Sequence, residues 1–135
     1  MLKIVELQTP KGDALVDVTE QVKAIVTESG VTDGLCAVIV PHTTAGVTIN
    51  SGLDPATPQD IIEDIMRLVP KRVDFIHQYD TPADAAGHIK ATIVGHSITL
   101  AISEGQLLMG GSQSILFYEF DGPRKRSLQV KIIAG

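Results

Sequence analysis

The chain has 135 residues, of which 44% are hydrophobic and 20% charged, the proportions of an ordinary globule long enough to bury roughly two thirds of its unfolded surface around one core. No apolar run approaches the roughly 18 residues that span a bilayer, so no membrane partner is expected. Eleven basic against sixteen acidic side chains leave a net charge of −5, which opposes attraction to a phosphate backbone and argues against nucleic-acid binding.

In chain order, KIVELQ and ALVDV read as strands separated by the turn-like TPKGD. The N-terminal MLKIVELQTP alternates apolar and polar residues without the basic head and small-residue cleavage site of an export leader, so a cytoplasmic location is expected. A first helix is predicted from Thr19, its capping hydroxyl, to about Ser29, with Gly30 as the left-handed stop. GLCAVIVP follows as a continuous apolar strand, and VTIN, after Gly46, as a strand returning beside it. Cys36, the only cysteine, lies within that apolar run; it excludes an intrachain disulfide, suits a reducing compartment and reads as a buried, inert thiol.

Thr57-Pro58 is expected to open a second helix with a buried stripe of Ile61, Ile62, Ile65, Met66, Leu68 and Val69, ended by Pro70. Beyond the irregular KRVDFIHQYDTP, a third helix near ADAAGHIKATIVG is predicted to bury Ala85, Ile89 and Ile93 on one face. HSITLAIS, QLLMG, SILFYEF and SLQVKIIA complete the chain as strands, with turns around Glu104-Gly105, Gly110-Gly111 and DGPRKR. One domain over residues 1–135, of α+β class, with an antiparallel sheet or sandwich covered by about three helices, is the expectation.

Within PHTTAGVTIN, Pro41 cannot continue a central ladder, which frees His42, Thr43 and Thr44 for other work. His42 can be a general base, a metal ligand or a capped turn residue. His88 sits on the third helix with Asp84 one turn before it, a spacing at which a carboxylate can orient an imidazole or hold its proton, though a solvated pair has the same pattern. Gly87, costly in a helix by about 1 kcal/mol, suggests a close backbone approach. His77, in FIHQYD, can converge with these two, whereas His96 reads as a strand-edge histidine. A divalent metal held by His42, His77 and His88 is a further expectation, although the three spacings match no compact zinc motif.

Along SQSILFYEF, alternation places Gln113, Ile115, Phe117 and Glu119 on one face. If that face is inward Glu119 must be paired, ligating or raised in pKa; if Leu116, Tyr118 and Phe120 are inward it is solvated. Arg124, Lys125 and Arg126 form the only basic cluster, in a turn that can be solvated or cradle a phosphate. Neither GxxxxGK[ST] nor GxGxxG nor GxSxG occurs.

Taken together, PHTTAGVTIN, Asp54-Pro55, FIHQYD, GHIKATIVG, EGQLLMGGSQ and EFDGPRKR resemble, in this order, the YjbQ family, whose members are described as secondary thiamine-phosphate synthases. The resemblance implies a compact β-sandwich with helices, assembled as a homotrimer with sites near subunit boundaries. By position, His42, His88 and Glu119, here expected to be catalytic, and Thr43, Thr44, Asn50, Asp60, Lys90, Gln113 and Arg126, here expected to bind substrate, match recurrent polar residues of the family. His77 also matches a recurrent polar position of the family. The implied reaction joins a pyrimidine pyrophosphate to a thiazole phosphate and releases pyrophosphate, so the expected partner is a small phosphorylated molecule. The alternative is a non-catalytic module that binds a metal or a phosphate-bearing ligand. Two stretches depart from the family pattern: Asn50-Ser51-Gly52 stands where many members have NEN, and Gly110-Gly111-Ser112-Gln113 where they have GTWQ.

Overall fold

The computed structural model describes residues 1–77 and 80–135; Gln78 and Tyr79 of the FIHQYD motif lie outside the described residues. The elements run β1 (Leu2–Gln8), β2 (Gly12–Asp17), α1 (Thr19–Ser29), β3 (Asp33–Ile39), β4 (Ala45–Asn50), α2 (Ala56–Leu68), α3 (Pro82–Val94), β5 (Ser97–Ser103), β6 (Gln106–Leu107), β7 (Ser114–Gly122) and β8 (Lys125–Ala134). All strand pairs are antiparallel. They form a five-stranded sheet, ordered β1-β8-β3-β5-β6, and a three-stranded sheet, ordered β2-β7-β4. This is the expected compact α+β sandwich. No helix among the described residues is long and apolar enough to cross a membrane.

The core lies between the sheets. Cys36 and Val38 of β3, Leu128, Val130 and Ile132 of β8, and Val47 with Ile115 and Phe117 of the smaller sheet interdigitate there, and α1 contributes Val22 and Val26. Cys36 is fully buried, and desolvation pushes its thiol up to about 11. On the other side of the three-stranded sheet, α3 covers Leu116, Tyr118 and Phe120. With one face against the core and the other under a helix, β7 is buried without a break from Ser114 to Phe120. The two alternatives for Glu119 therefore collapse into one: both faces of its strand are inside.

Several local expectations are corrected. Thr19 is the first helical residue rather than the cap; the Asp17 carboxylate accepts both its N–H, at 2.9 Å, and its hydroxyl. Helix α2 starts at Ala56, with Pro55 and not Thr57 at the cap position; the Ala56 N–H donates to the Asp54 carboxylate just before it. Its apolar stripe is not buried: Ile61, Ile62 and Ile65 are half-buried, Met66 and Leu68 exposed, and only Val69, just past the helix, is enclosed. The reason is that, among the described residues, α2 packs chiefly against β2 at the edge of the three-stranded sheet.

Helix α3 is rotated from the expected phase. It buries Ala85, Ala86, Gly87 and Lys90, and leaves Ile89 and Ile93 exposed. A Cβ on Gly87 would meet Thr44 Cβ at 3.3 Å and Phe120 Cβ at 3.4 Å, so small residues set how closely the helix sits on β4 and β7. The QLLMG strand stops after Leu107. The turn before it matches expectation: Glu104 and Gly105 both have positive φ, as a two-residue hairpin with Ser103 paired to Gln106 requires.

Candidate functional site

Glu119 and Arg126 come from different sheets and meet inside the sandwich at one end. Arg126 Nε donates to Glu119 Oε1 at 2.8 Å and its Nη2 to Oε2 at 2.5 Å. The Thr9 hydroxyl donates to Oε1 at 2.6 Å and the Asp121 N–H to Oε2 at 3.0 Å, so every side of the carboxylate is used. Burial by itself raises the Glu119 carboxyl, but the Arg126, Thr9 and Asp121 hydrogen bonds with the Arg126 charge outweigh it and hold the group below the ordinary carboxylate value. Glu119 is thus an ionised, fully enclosed partner of Arg126, with no face open to a substrate.

The PHTTAG segment is fastened to this pair. Arg126 Nη2 also donates to the Thr44 hydroxyl at 2.8 Å and to the Thr44 carbonyl at 3.2 Å. Two residues earlier, the backbone N–H of Ser127 donates to His42 Nε2 at 3.0 Å. That bond places the ring proton on Nδ1. Desolvation first, then the Arg126 charge, lower the His42 pKa, against the opposing charge of Glu119. His42 is therefore neutral near pH 7 and its Nε2 is committed, which leaves the imidazole Nδ1–H as a donor.

His42, Thr43, His88 and Thr92 line one cleft of about 500 Å³ between the β4 entry and α3. His88 and His77 line a second of about 610 Å³, whose remaining wall includes Phe75, Ile76, Ala85 and Ile89. His88 stands at the wall of both. A further cleft of about 520 Å³ runs from His42 along Glu6, Gln8 and Lys125.

At the mouth of the apolar cleft, Asp84 gathers both histidines. Its Oδ2 is 2.8 Å from His77 Nε2 and 3.3 Å from His88 Nε2, and the two rings meet edge to face with centroids 5.0 Å apart. Asp84 and His88 are one turn apart on α3, whose start is fixed by the Thr81 hydroxyl accepting the Asp84 N–H at 3.2 Å. Asp80 and Asp121 approach Asp84 from the other side, with Arg124 Nη2 at 2.8 Å from Asp121 and 3.7 Å from Asp80. The Asp121 bond, against a smaller effect of burial and helped by the charges of Asp121, Asp80 and Asp84, raises the Arg124 pKa.

The remaining candidates sit elsewhere. Lys90 is fully buried beneath α3, where its Nζ donates to Asp13 at 2.6 Å; it faces the interior and no cleft. Asn50 and Gln113 lie at the far end of β4 and β7, Gln113 roughly 20 Å along the strand from Glu119. The Asn50 side-chain Oδ1 accepts the Ser51 N–H and the Gln113 side-chain Oε1 accepts the Gly110 N–H, so both serve turns. Asp60 is exposed on α2, apart from the clefts. His96, exposed just before β5, is the exception: it lines the polar cleft with His42 and His88. Sequence reasoning missed Thr9, Asp13, Asp80, Asp121 and Ser127. Thr9 and Asp13 flank the TPKGD turn, and only their three-dimensional partners distinguish them from ordinary turn residues.

The comparisons with known proteins bear on the whole chain. Residues 3–135 match the family model described as UPF0047 protein YjbQ-like. A UPF0047 protein of Methanocaldococcus jannaschii is 44% identical over 133 residues, covering 98% of this chain and 94% of that protein. The UPF0047 protein YugU of Bacillus subtilis is 37% identical, with 98% and 99% covered. Among solved structures, a YbjQ-like protein of unknown function from Sulfolobus solfataricus superposes with a TM-score of 0.95 at 30% identity, covering 100% of this chain and 97% of its own. An uncharacterised YjbQ/UPF0047 protein of Clostridium acetobutylicum gives 0.92 at 43% identity, with 97% and 99% covered. The sandwich, the HTTAG segment and the HIK helix thus occur in a chain that belongs to the YjbQ (UPF0047) family.

Proposed function

We propose that the protein is an enzyme acting on small phosphorylated molecules at the paired clefts that share His88, and that its reaction is thiamine-phosphate synthesis. The observation that carries this reading is the junction itself. One cleft is rimmed by His42 and Thr43, the other is walled by Phe75, Ile76 and Ile89, and His88 borders both. Two adjoining seats suit a reaction with two ring-bearing substrates, because each can be oriented against the other before bonds change.

In this transfer one bond forms between the two ring systems as the carbon–oxygen bond to pyrophosphate breaks, its electron pair leaving with pyrophosphate. The developing charge needs cationic or hydrogen-bond donors. Lys90 and Arg126 are consumed by buried ion pairs, so among the described residues the His42 Nδ1–H is the donor at the polar cleft, with Lys125 on the adjoining cleft that His42 also lines. The reading includes a cytoplasmic setting, for which the unpaired Cys36 thiol speaks, and a homotrimer. Exposed Leu2, Ile4, Leu35 and Ile133, on the uncovered face of the five-stranded sheet, support self-association. Nucleic acid is not a partner in this reading, given the net charge of −5.

The test is thiamine phosphate formation by the purified protein and by His88→Ala. Product formed by the first and lost in the second is expected; equal rates would remove His88 from the mechanism. A second reading, a non-catalytic phosphate-ligand module, is favoured by one observation: Glu119 and His42 Nε2 are already engaged internally and supply no free acid or base. Native mass spectrometry decides for it if a phosphorylated molecule is retained in stoichiometric amount and no candidate is turned over.

A further inference from the structure

We infer that His77, Asp84 and His88 form a binding site for a late first-row divalent cation such as zinc, with His77 Nε2, His88 Nε2 and an Asp84 carboxylate oxygen as the donors. The inference does not depend on the reaction proposed above.

Three observations carry it. The donor atoms lie within 4.8 Å of one another, and the two contacts to Asp84 Oδ2 measure 2.8 and 3.3 Å. A tetrahedral ion with bonds of about 2.0–2.1 Å has donor-to-donor edges of about 3.3 Å, so the three groups stand close to the spacing such an ion imposes. Second, the donors are mutually fixed. Asp84 and His88 are held one turn apart by α3, and the Asp84 side chain is 13% exposed, enclosed between the imidazoles, which are 45% and 40% exposed. The carboxylate is thereby withdrawn from water while the ring edges stay accessible to an entering ion.

Third, the local charge is unbalanced. Asp80, Asp84 and Asp121 approach one another within 4.8 Å, and Arg124 is the cation paired with Asp80 and Asp121. Three carboxylates there outnumber the one guanidinium that pairs with them, an excess of negative charge that a divalent ion offsets. Imidazole and carboxylate donors select late first-row divalent ions over magnesium or calcium, which prefer all-oxygen sites. The third donor is Asp84 and not His42, whose Nε2 is turned to the Ser127 N–H. Three protein ligands leave a further coordination position open beside the apolar cleft, the pattern of sites that also bind a small molecule.

The experiment is titration of chelator-treated protein with Co(II), followed by visible absorption, and with Zn(II), followed by calorimetry. One equivalent per chain is expected, with the intense visible bands of a low-coordinate cobalt site. His77→Ala, Asp84→Asn and His88→Gln should each weaken binding by more than about tenfold, the lower range for disturbing even the residues that orient metal ligands. His96→Ala, at an exposed histidine outside the site, should bind as the parent does. Circular dichroism of each variant establishes that it is folded; Asp84→Asn keeps the helix start because its backbone N–H makes that contact. Binding of less than about a tenth of an equivalent, or affinities within about twofold of the parent in the folded variants, overturns the site. So does loss of binding in His96→Ala, since it would move the ion elsewhere.

Discussion

Glu119 of β7 and Arg126 of β8 join the two sheets through two hydrogen bonds made inside the sandwich, and the same guanidinium reaches Thr44 at the entry to β4. One buried pair thus ties both sheets to the PHTTAG segment.

Removing one partner strands the other. Glu119→Ala leaves the Arg126 guanidinium buried without its carboxylate and should cost about 3–5 kcal/mol of stability, measured by denaturant unfolding. The pH dependence has a fixed sign. Because the folded-state pKa of Glu119 is lowered, its contribution is complete above the unfolded value near 4.5 and is lost as pH falls through the folded value. Glu119→Gln should flatten that acid limb of the stability curve; an unchanged limb would assign it to other carboxylates.

His42 should titrate below 6.5 in the folded protein and carry its proton on Nδ1, both readable from ring nitrogen chemical shifts. A lowered histidine pKa means the unfolded chain binds more protons, so the His42 contribution is full above about pH 6.5 and declines as pH drops through the folded value. His42→Ala should weaken that dependence. A ring protonated at pH 7 would contradict the Ser127 bond.

The Asp13–Lys90 pair makes a separate prediction. Lys90→Met leaves a buried carboxylate unpaired and should destabilise by about 3–5 kcal/mol, whereas the double variant Asp13→Leu, Lys90→Met should recover most of that loss. Additive effects would mean that the two side chains do not interact.

Gly46→Ala should destabilise by about 1–3 kcal/mol, since the new Cβ would stand 2.5 Å from the Gly95 carbonyl oxygen at the end of α3 and the backbone must shift to admit it. Thermal unfolding of the variant checks this. Cys36, with its thiol pushed up to about 11 by burial, should react with an aromatic disulfide reagent only as fast as the chain unfolds.

The strands were legible because alternation and turn chemistry are local: the Glu104-Gly105 hairpin and the LCAVIV strand needed no distant information. The phase of α3 was not. Its contact face is made of small residues that permit close approach, so the large Ile89 and Ile93 that dominate the periodicity point outward. Lys90 could be read as polar but not as buried, because the Asp13 that makes burial tolerable is 77 positions away. The Asp84–His88 relation was visible from helical spacing, whereas the arrival of His77 depends on an irregular segment with no period to read. Glu119 required a partner only if its own face was inward; alternation could not show that both faces of β7 are enclosed, nor name Arg126 on the opposite sheet.

Thr44 stands two residues beyond the histidine that rims the polar cleft, and its hydroxyl and carbonyl are both held by Arg126. That wall of the cleft is therefore assembled when the core assembles, before any small molecule arrives. Binding there spends little of its free energy on arresting a moving loop, and the entropy of ordering that wall belongs to folding.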